Sequence, residues 1–350
     1  MARKTILLET AFWDEFSECT HSLTTNVDGD DLNEAFERIK RWKMMYDFIC
    51  RSSAFIDSPL PELAEKAKSD KWLMHMLKCN GDGKMELTAT DESFPNLNLD
   101  DEFECEGDHN SVFFTANNYR SGARKHGVIN ISIDTIWNQE NKFKDTGRAV
   151  RSDRGWNWRQ MDILKETSNG MVIIDNFVLS PDRETDKCEV SYNLKELLRL
   201  ILPDSCNELY QLSLFYFDGG DSPTVRKRHK KEFYESIKKY ISFIRPHLII
   251  EIELFPTIAN GQYYHKDFHD RTILTNNVWI GSEAGFDLLR KDASFDSNAR
   301  AIKTTTTHGL YLGFGNDAAD WLEEGQANLI EDAKKCLKRY NYTTKNRILH

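Results

Sequence analysis

The sequence predicts an α/β protein of two domains, on three observations. Short runs rich in Ile, Val, Leu and Phe alternate with stretches whose apolar residues recur at helical spacing. Residues 111–131 read as strand, short helix, strand, and two strands joined by a helix run parallel. The chain is 350 residues long, room for about two domains.

Taken in order, Thr5, Ile6, Leu7 and Leu8 form a buried strand that ends at Glu9. A helix follows with Phe12, Trp13 and Phe16 inward. Leu32, Phe36, Ile39, Met44, Tyr46 and Phe48 are spaced for a helix over 31–51. A short strand at 54–57 is stopped by Pro59 and Pro61, which open a helix over 62–78. The polar, acidic stretch 80–110 predicts a loop with a short strand at 85–87. Strands at 111–115 and 127–131 flank a short helix at 119–125.

The second half predicts strands at 170–175, 210–217 and 248–255, the last stopped by Pro256. Helices fall at 193–201, with Leu194, Leu197, Leu198 and Ile201 on one face, and at 227–244, ending before Pro246. A hairpin turning on Asn276 and Asn277 comes next, because Asn tolerates positive φ. Strand segments at 304–307 and 310–314 and a helix at 316–340 close the chain. This alternation predicts a mostly parallel sheet covered by helices. The expected division is an α/β domain at 1–140, a basic, Trp-containing linker at 141–169 and a second α/β domain at 170–350.

The formal net charge of −10 excludes a protein that coats nucleic acid through bulk charge. A local basic patch remains open: Arg148, Arg151 and Arg154 with Trp156 and Trp158 could grip a single strand through backbone charge and base stacking. The other reading of that segment is a solvated linker. The basic run 226–231 opens a helix against its macrodipole, so it is expected to face an acidic partner or surface. Seven scattered cysteines without a CxxC pair suggest neither a zinc site nor a disulfide framework. No run approaches the ~20 apolar residues of a membrane span, and about four apolar residues before Glu9 are too few for a signal peptide. A cytoplasmic protein without a membrane partner is the expectation.

Two constellations carry chemistry. One is acidic and lies in the first half. The candidates are Glu9, Asp14, Glu62, Asp100 and Asp101, with Asn117 and Asn118 in the turn after the 111–115 strand. Glu9 and Asp14 would equally serve as acids near a helix N-terminus. In the second half, simple hairpin register places His269, Arg271 and Ser282 together beside glycine N–H groups, a set suited to a phosphate oxygen. A polar hairpin end with no ligand is the plain alternative.

The second half, over about 170–320, resembles the phospholipase D-like superfold, in particular the C-terminal domains of MIT-domain proteins. The resemblance lies in the order β-α-β-α-β followed by the His269-Asp270-Arg271 hairpin and Gly281-Ser282. It implies His269 as nucleophile or proton donor and a phosphate grip at the next-but-one residue, where Arg271 replaces the family's Lys. Asn276 stands where the family has Asp, and one such motif is present where the family's enzymes use two. The first half resembles PIN-like nucleases. Glu9 ends the first strand where they carry an Asp, and Phe114-Thr115-Ala116-Asn117-Asn118 occupies their Thr-x-Asp turn. The resemblance implies carboxylates gathered at strand ends to hold one or two Mg²⁺ or Mn²⁺ ions.

Together the resemblances imply a nucleic-acid-directed, metal-dependent nuclease, in a pairing similar to components of prokaryotic defence or conflict systems. The alternative is a non-catalytic protein that binds a nucleotide, nucleic-acid or lipid-headgroup phosphate through degenerate sites. The abundance of aromatic residues leaves room for a protein partner.

Overall fold

The computed structural model describes residues 5–25, 32–50, 52–90, 112–119, 123, 128–133, 147–151, 168–175, 178, 186–204, 206, 208–217, 222–257, 271–282, 286, 307–312 and 320–350. The chain forms two compact units, Met1–Thr146 with Phe314–Glu323, and Gly147–Gly313 with Glu324–His350. Among the described residues each contains one sheet, and the α/β class expected from the sequence holds in both.

In the first unit, β1 (Thr5–Leu8), β2 (Ser53–Ile56), β3 (Glu86–Ala89), β4 (Val112–Thr115) and β5 (Ile129–Ser132) lie in the order β3-β2-β1-β4-β5. Every neighbouring pair is parallel. All four residues of β4 and of β5 are buried, as expected of parallel strands covered on both faces. Helix α1 (Thr10–Thr25) follows β1 directly, and α2 (Leu32–Ile49) precedes β2. Phe12, Trp13 and Phe16 of α1 pack with Trp42, Tyr46 and Trp72 in an aromatic core with ring centroids 4.7–6.4 Å apart. On the other side Leu7 and Phe113 meet Ala123 and Val128.

The helix expected over 62–78 is two helices, α3 (Leu60–Lys66) and α4 (Lys71–Gly81). Asp70 causes the break. Its Oδ1 accepts from the N–H groups of Trp72 and Leu73, capping α4, while Oδ2 accepts from Trp13 Nε1 at 2.8 Å. A short acid that binds local N–H groups outcompetes helix continuation.

The second unit holds a seven-stranded sheet in the order β6-β12-β11-β10-β7-β8-β9. Its strands are β6 (Gly147–Arg151), β7 (Gly170–Ile174), β8 (Tyr210–Phe217), β9 (Ile250–Thr257), β10 (Arg271–Thr275), β11 (Val278–Ser282) and β12 (Thr307–Leu312). The sheet is mixed, which corrects the expectation of a mostly parallel one. Strands β7, β8 and β9 are parallel, whereas β10, β11, β12 and β6 join by antiparallel ladders. The two-residue Asn276-Asn277 connection is the reason, since only antiparallel strands can be joined so tightly. Strand β6 also departs from expectation, because it lies inside the stretch expected as a linker. An edge strand needs a free ladder beside it rather than an apolar run, and β12 supplies that ladder. Pro256 sits within β9 instead of ending it. As an edge strand β9 tolerates the missing N–H.

Helices cover both faces of this sheet. Met171 and Ile173 join Leu212, Leu214 and Leu254 in one core with α5 (Tyr192–Ile201) and α6 (Pro223–Ile244). The alternate residues Val172 and Ile174 join Phe215, Phe255 and Leu274 in the other, with Ala333, Cys336 and Leu337 of α7 (Asp320–Arg339) and Leu349 beyond it. Leu194, Leu197, Leu198 and Ile201 are all buried on α5 as their spacing requires. Gly325 of α7 faces the Trp279 ring, and a Cβ there would stand 3.2 Å from it.

Candidate active site

In an open parallel sheet, ligands bind outside the carboxyl ends of the strands, where the strand order reverses. In the first unit that place lies at β1, flanked by β2 on one side and β4 on the other. The register pairs Leu8 with Ile56, so the residues that follow, Glu9 and Asp57, leave neighbouring strands side by side. Glu9 also reaches across to the turn after β4. Its N–H donates to the Phe114 carbonyl, and its Oε2 accepts from the Ala116 N–H, both at 2.9 Å. Burial raises the Glu9 pKa; the Ala116 N–H opposes that rise and the Asp57 charge adds to it.

Asp57 holds the start of α1. Its Oδ1 accepts from the Thr10 N–H at 2.5 Å and from the Thr10 hydroxyl at 2.7 Å. Each of the two carboxylates therefore commits one oxygen to a local donor, and the second oxygen of each has no partner among the described residues. The turn after β4 is itself braced. Asn130 donates to Thr115 Oγ1 and accepts from the Tyr119 N–H, while the Thr115 hydroxyl donates to the Asn117 carbonyl.

The other described candidates have different surroundings. Asp14 is a turn further along α1 and faces Lys66, whose Nζ lies 2.9 Å from both of its oxygens. Glu62 is an exposed acid in the first turn of α3, where it complements the macrodipole. Asn117 and Asn118 are exposed in the turn beside Ala116, and the Asn117 side chain donates to Tyr119 Oη. Asp100 and Asp101 lie outside the described residues. Asp57, which the sequence reading passed over, is the true neighbour of Glu9. Both short strands end in an acid, and that was the available signal.

The donor set fits a hard divalent cation. Two carboxylates with free oxygens suit Mg²⁺ or Mn²⁺, which take one or two protein carboxylates and complete their shell with water and phosphate oxygens.

In the second unit Arg271 and Ser282 are cross-strand partners, as simple register predicts. Arg271 is half-buried and Ser282 buried. Thr272 pairs with Ile174 on the other side, so the next residue along, Asp175, leaves β7 beside Arg271. Asp175 is buried, and its Oδ2 accepts from the Phe286 N–H at 3.0 Å. The sequence reading assigned it no role. His269 lies outside the described residues, as do Arg154, Trp156 and Trp158. Arg148 and Arg151 occupy β6, and their side chains are likewise outside the described residues.

Asn276 has a structural task. Buried at the hairpin tip, it accepts from the N–H groups of Asn169 and Gly170 at 3.0 and 3.1 Å and donates to Asn169 Oδ1 at 2.9 Å. It stands five positions from Arg271, roughly 17 Å along an extended chain. The basic start of α6 finds its acid within the chain: Arg228 pairs with Asp186, and the buried His229 Nε2 lies 3.2 Å from the same carboxylate.

No described helix is long and apolar enough to cross a membrane. No protein-family model matches the chain, and no curated protein matches it.

Proposed function

We propose that the first unit is a divalent-metal-dependent phosphodiester hydrolase acting on nucleic acid. The observation that carries this reading is the Glu9–Asp57 pair at the point where the strand order reverses, each acid keeping one oxygen uncommitted among the described residues. A bound Mg²⁺ or Mn²⁺ would supply an activated water and charge neutralisation at the phosphate. Glu9 and Asp57 would hold it, and the Ala116 N–H would fix the orientation of Glu9. The Arg271–Ser282 corner of the second unit suits phosphate, because a guanidinium binds phosphate oxygens in pairs. A place in a prokaryotic defence system, in the cytoplasm and with a protein partner, extends the same reading through the resemblances.

The second reading is a phosphate-binding protein without catalysis. Asn117 favours it, since an amide stands in the turn where a further carboxylate would complete a metal site. Cleavage assays on single- and double-stranded DNA and RNA with Mn²⁺, Mg²⁺ or EDTA separate the two. Hydrolysis that EDTA stops and that Glu9→Gln and Asp57→Asn reduce at least ~100-fold supports the first reading. Hydrolysis that survives EDTA and is lost in His269→Ala moves the chemistry to the second unit. Binding without any cleavage favours the second reading.

A further inference from the structure

Away from the strand ends, the helices of the first unit bring together a different kind of donor set. Cys50 directly follows α2, its N–H donating to the Tyr46 carbonyl in the last turn. His75 and Cys79 are four residues apart on α4, hence one above the other on a single face. One donor atom from each of Cys50, His75 and Cys79 lies within 4.8 Å of the others. Cys79 Sγ is 3.7 Å from His75 Nδ1 and 3.8 Å from Nε2. Tetrahedral zinc, with bonds of ~2.3 Å to sulfur and ~2.1 Å to nitrogen, holds adjacent donors ~3.5–3.8 Å apart. A sulfur equally far from both ring nitrogens lies off the lone-pair direction of either, so metal binding requires the exposed imidazole to turn.

The surroundings orient the imidazole. Tyr46 Oη lies 2.6 Å from His75 Nδ1 and 3.0 Å from the Trp72 carbonyl. With the phenol hydrogen given to that carbonyl, Oη accepts from Nδ1–H. This tautomer leaves the Nε2 lone pair for a metal, and a second hydrogen bond of this kind is what fixes metal-binding histidines.

We propose that Cys50, His75 and Cys79 form a zinc(II) site. Two sulfurs and an imidazole are soft and borderline donors that select zinc over Mg²⁺, so this centre is chemically separate from the Glu9–Asp57 pair. Three protein ligands leave a fourth position for water or a further ligand. Cys79 is buried and His75 exposed. The site ties the end of α2 to the middle of α4.

The test uses the full chain, purified under reducing conditions without chelator. Elemental analysis should give about one zinc per chain. Cobalt(II) added to the metal-free protein should give thiolate-to-cobalt charge-transfer absorption and strong tetrahedral d–d bands. His75→Ala and Cys79→Ser should each weaken cobalt binding at least ~tenfold. Should Cys79→Ser fail to fold, His75→Ala decides, because its side chain is exposed. Two results overturn the proposal. One is a chain that carries no zinc and gives no thiolate–cobalt absorption. The other is thiolate–cobalt absorption of unchanged strength in both His75→Ala and Cys79→Ser.

Discussion

The Ala116 N–H donates to Glu9 Oε2 at 2.9 Å, fastening the acid at the end of β1 to the turn that follows β4. That single bond only partly offsets the burial of the Glu9 carboxylate and the charge of Asp57, which together hold its pKa above the ordinary 4.5. Below pH 4.5 the group is protonated in folded and unfolded chains alike. As pH rises past 4.5 the unfolded chain loses its proton first, so stability falls until the folded carboxyl ionises as well. Glu9→Gln keeps an acceptor for Ala116 and removes the charge. The variant should be more stable than wild type near neutral pH, with the difference vanishing below pH 4.5. Denaturant unfolding at both pH values measures this directly. A variant that is less stable at neutral pH would contradict it.

Asp57 holds the first turn of α1 through Thr10. Asp57→Ala should cost ~1–2 kcal/mol, the usual loss when a helix start is deprived of its acceptor. Asp57→Asn keeps an acceptor and should recover most of that stability. It should still weaken Mn²⁺ binding, since one of the two carboxylates is gone. Chemical denaturation and Mn²⁺ titration of the two variants separate the roles.

Asn276 distinguishes structure from chemistry in the second unit. Asn276→Ala removes the side-chain acceptor of two buried N–H groups and a donor to the Asn169 amide oxygen, a loss of ~2–3 kcal/mol. Asn276→Asp should confer no hydrolase activity. It buries a charge and faces Asn169 Oδ1 with another acceptor, so it should destabilise near neutral pH. The deficit should shrink on acidification, when a protonated acid can again donate. Unfolding measured against pH checks both parts.

Asn346 is buried and donates to the carbonyls of Met171 and Gln211 and to Ser213 Oγ, while its Oδ1 accepts from the Ile348 N–H. Beside it Arg347 pairs with Glu208, and Thr344 donates to Glu253 Oε2 at 2.5 Å. Asn346→Ala leaves the two carbonyls and the Ser213 hydroxyl without this partner and should cost ~2–4 kcal/mol. Hydrogen exchange at the Ile348 amide should accelerate with it.

Local signals account for what the sequence revealed. The four-residue run before Glu9 and the Leu194–Ile201 stripe each encode their structure within a few residues, and each appears where its pattern places it. The Asn276-Asn277 turn also falls where expected, but not for the expected reason: neither asparagine has a positive φ, and Asn276 is held instead by Asn169 and Gly170. The Arg271–Ser282 pairing was legible because a two-residue turn fixes register. What was hidden depends on partners far along the chain. Asp70 reads as one more charge in a helix until Trp13 Nε1 is placed beside it. Strand β6 is called into being by β12, more than a hundred residues later. Asp57 becomes a site residue only once β2 is known to lie beside β1. Within the Cys50–His75–Cys79 cluster only the i, i+4 spacing of His75 and Cys79 is local; Cys50 joins them once α2 and α4 are packed together.

The docking of Asn346 also sets an order of events during synthesis. Its contact with Met171 joins residues 175 positions apart, and Leu349 seals one face of the β7–β8–β9 sheet. On the ribosome these strands emerge long before the segment that completes their core. The five parallel strands of the first unit have all been made by residue 132. The two sheets are therefore expected to form one after the other, with the second holding an unfinished face that a chaperone can occupy until residue 349 has emerged.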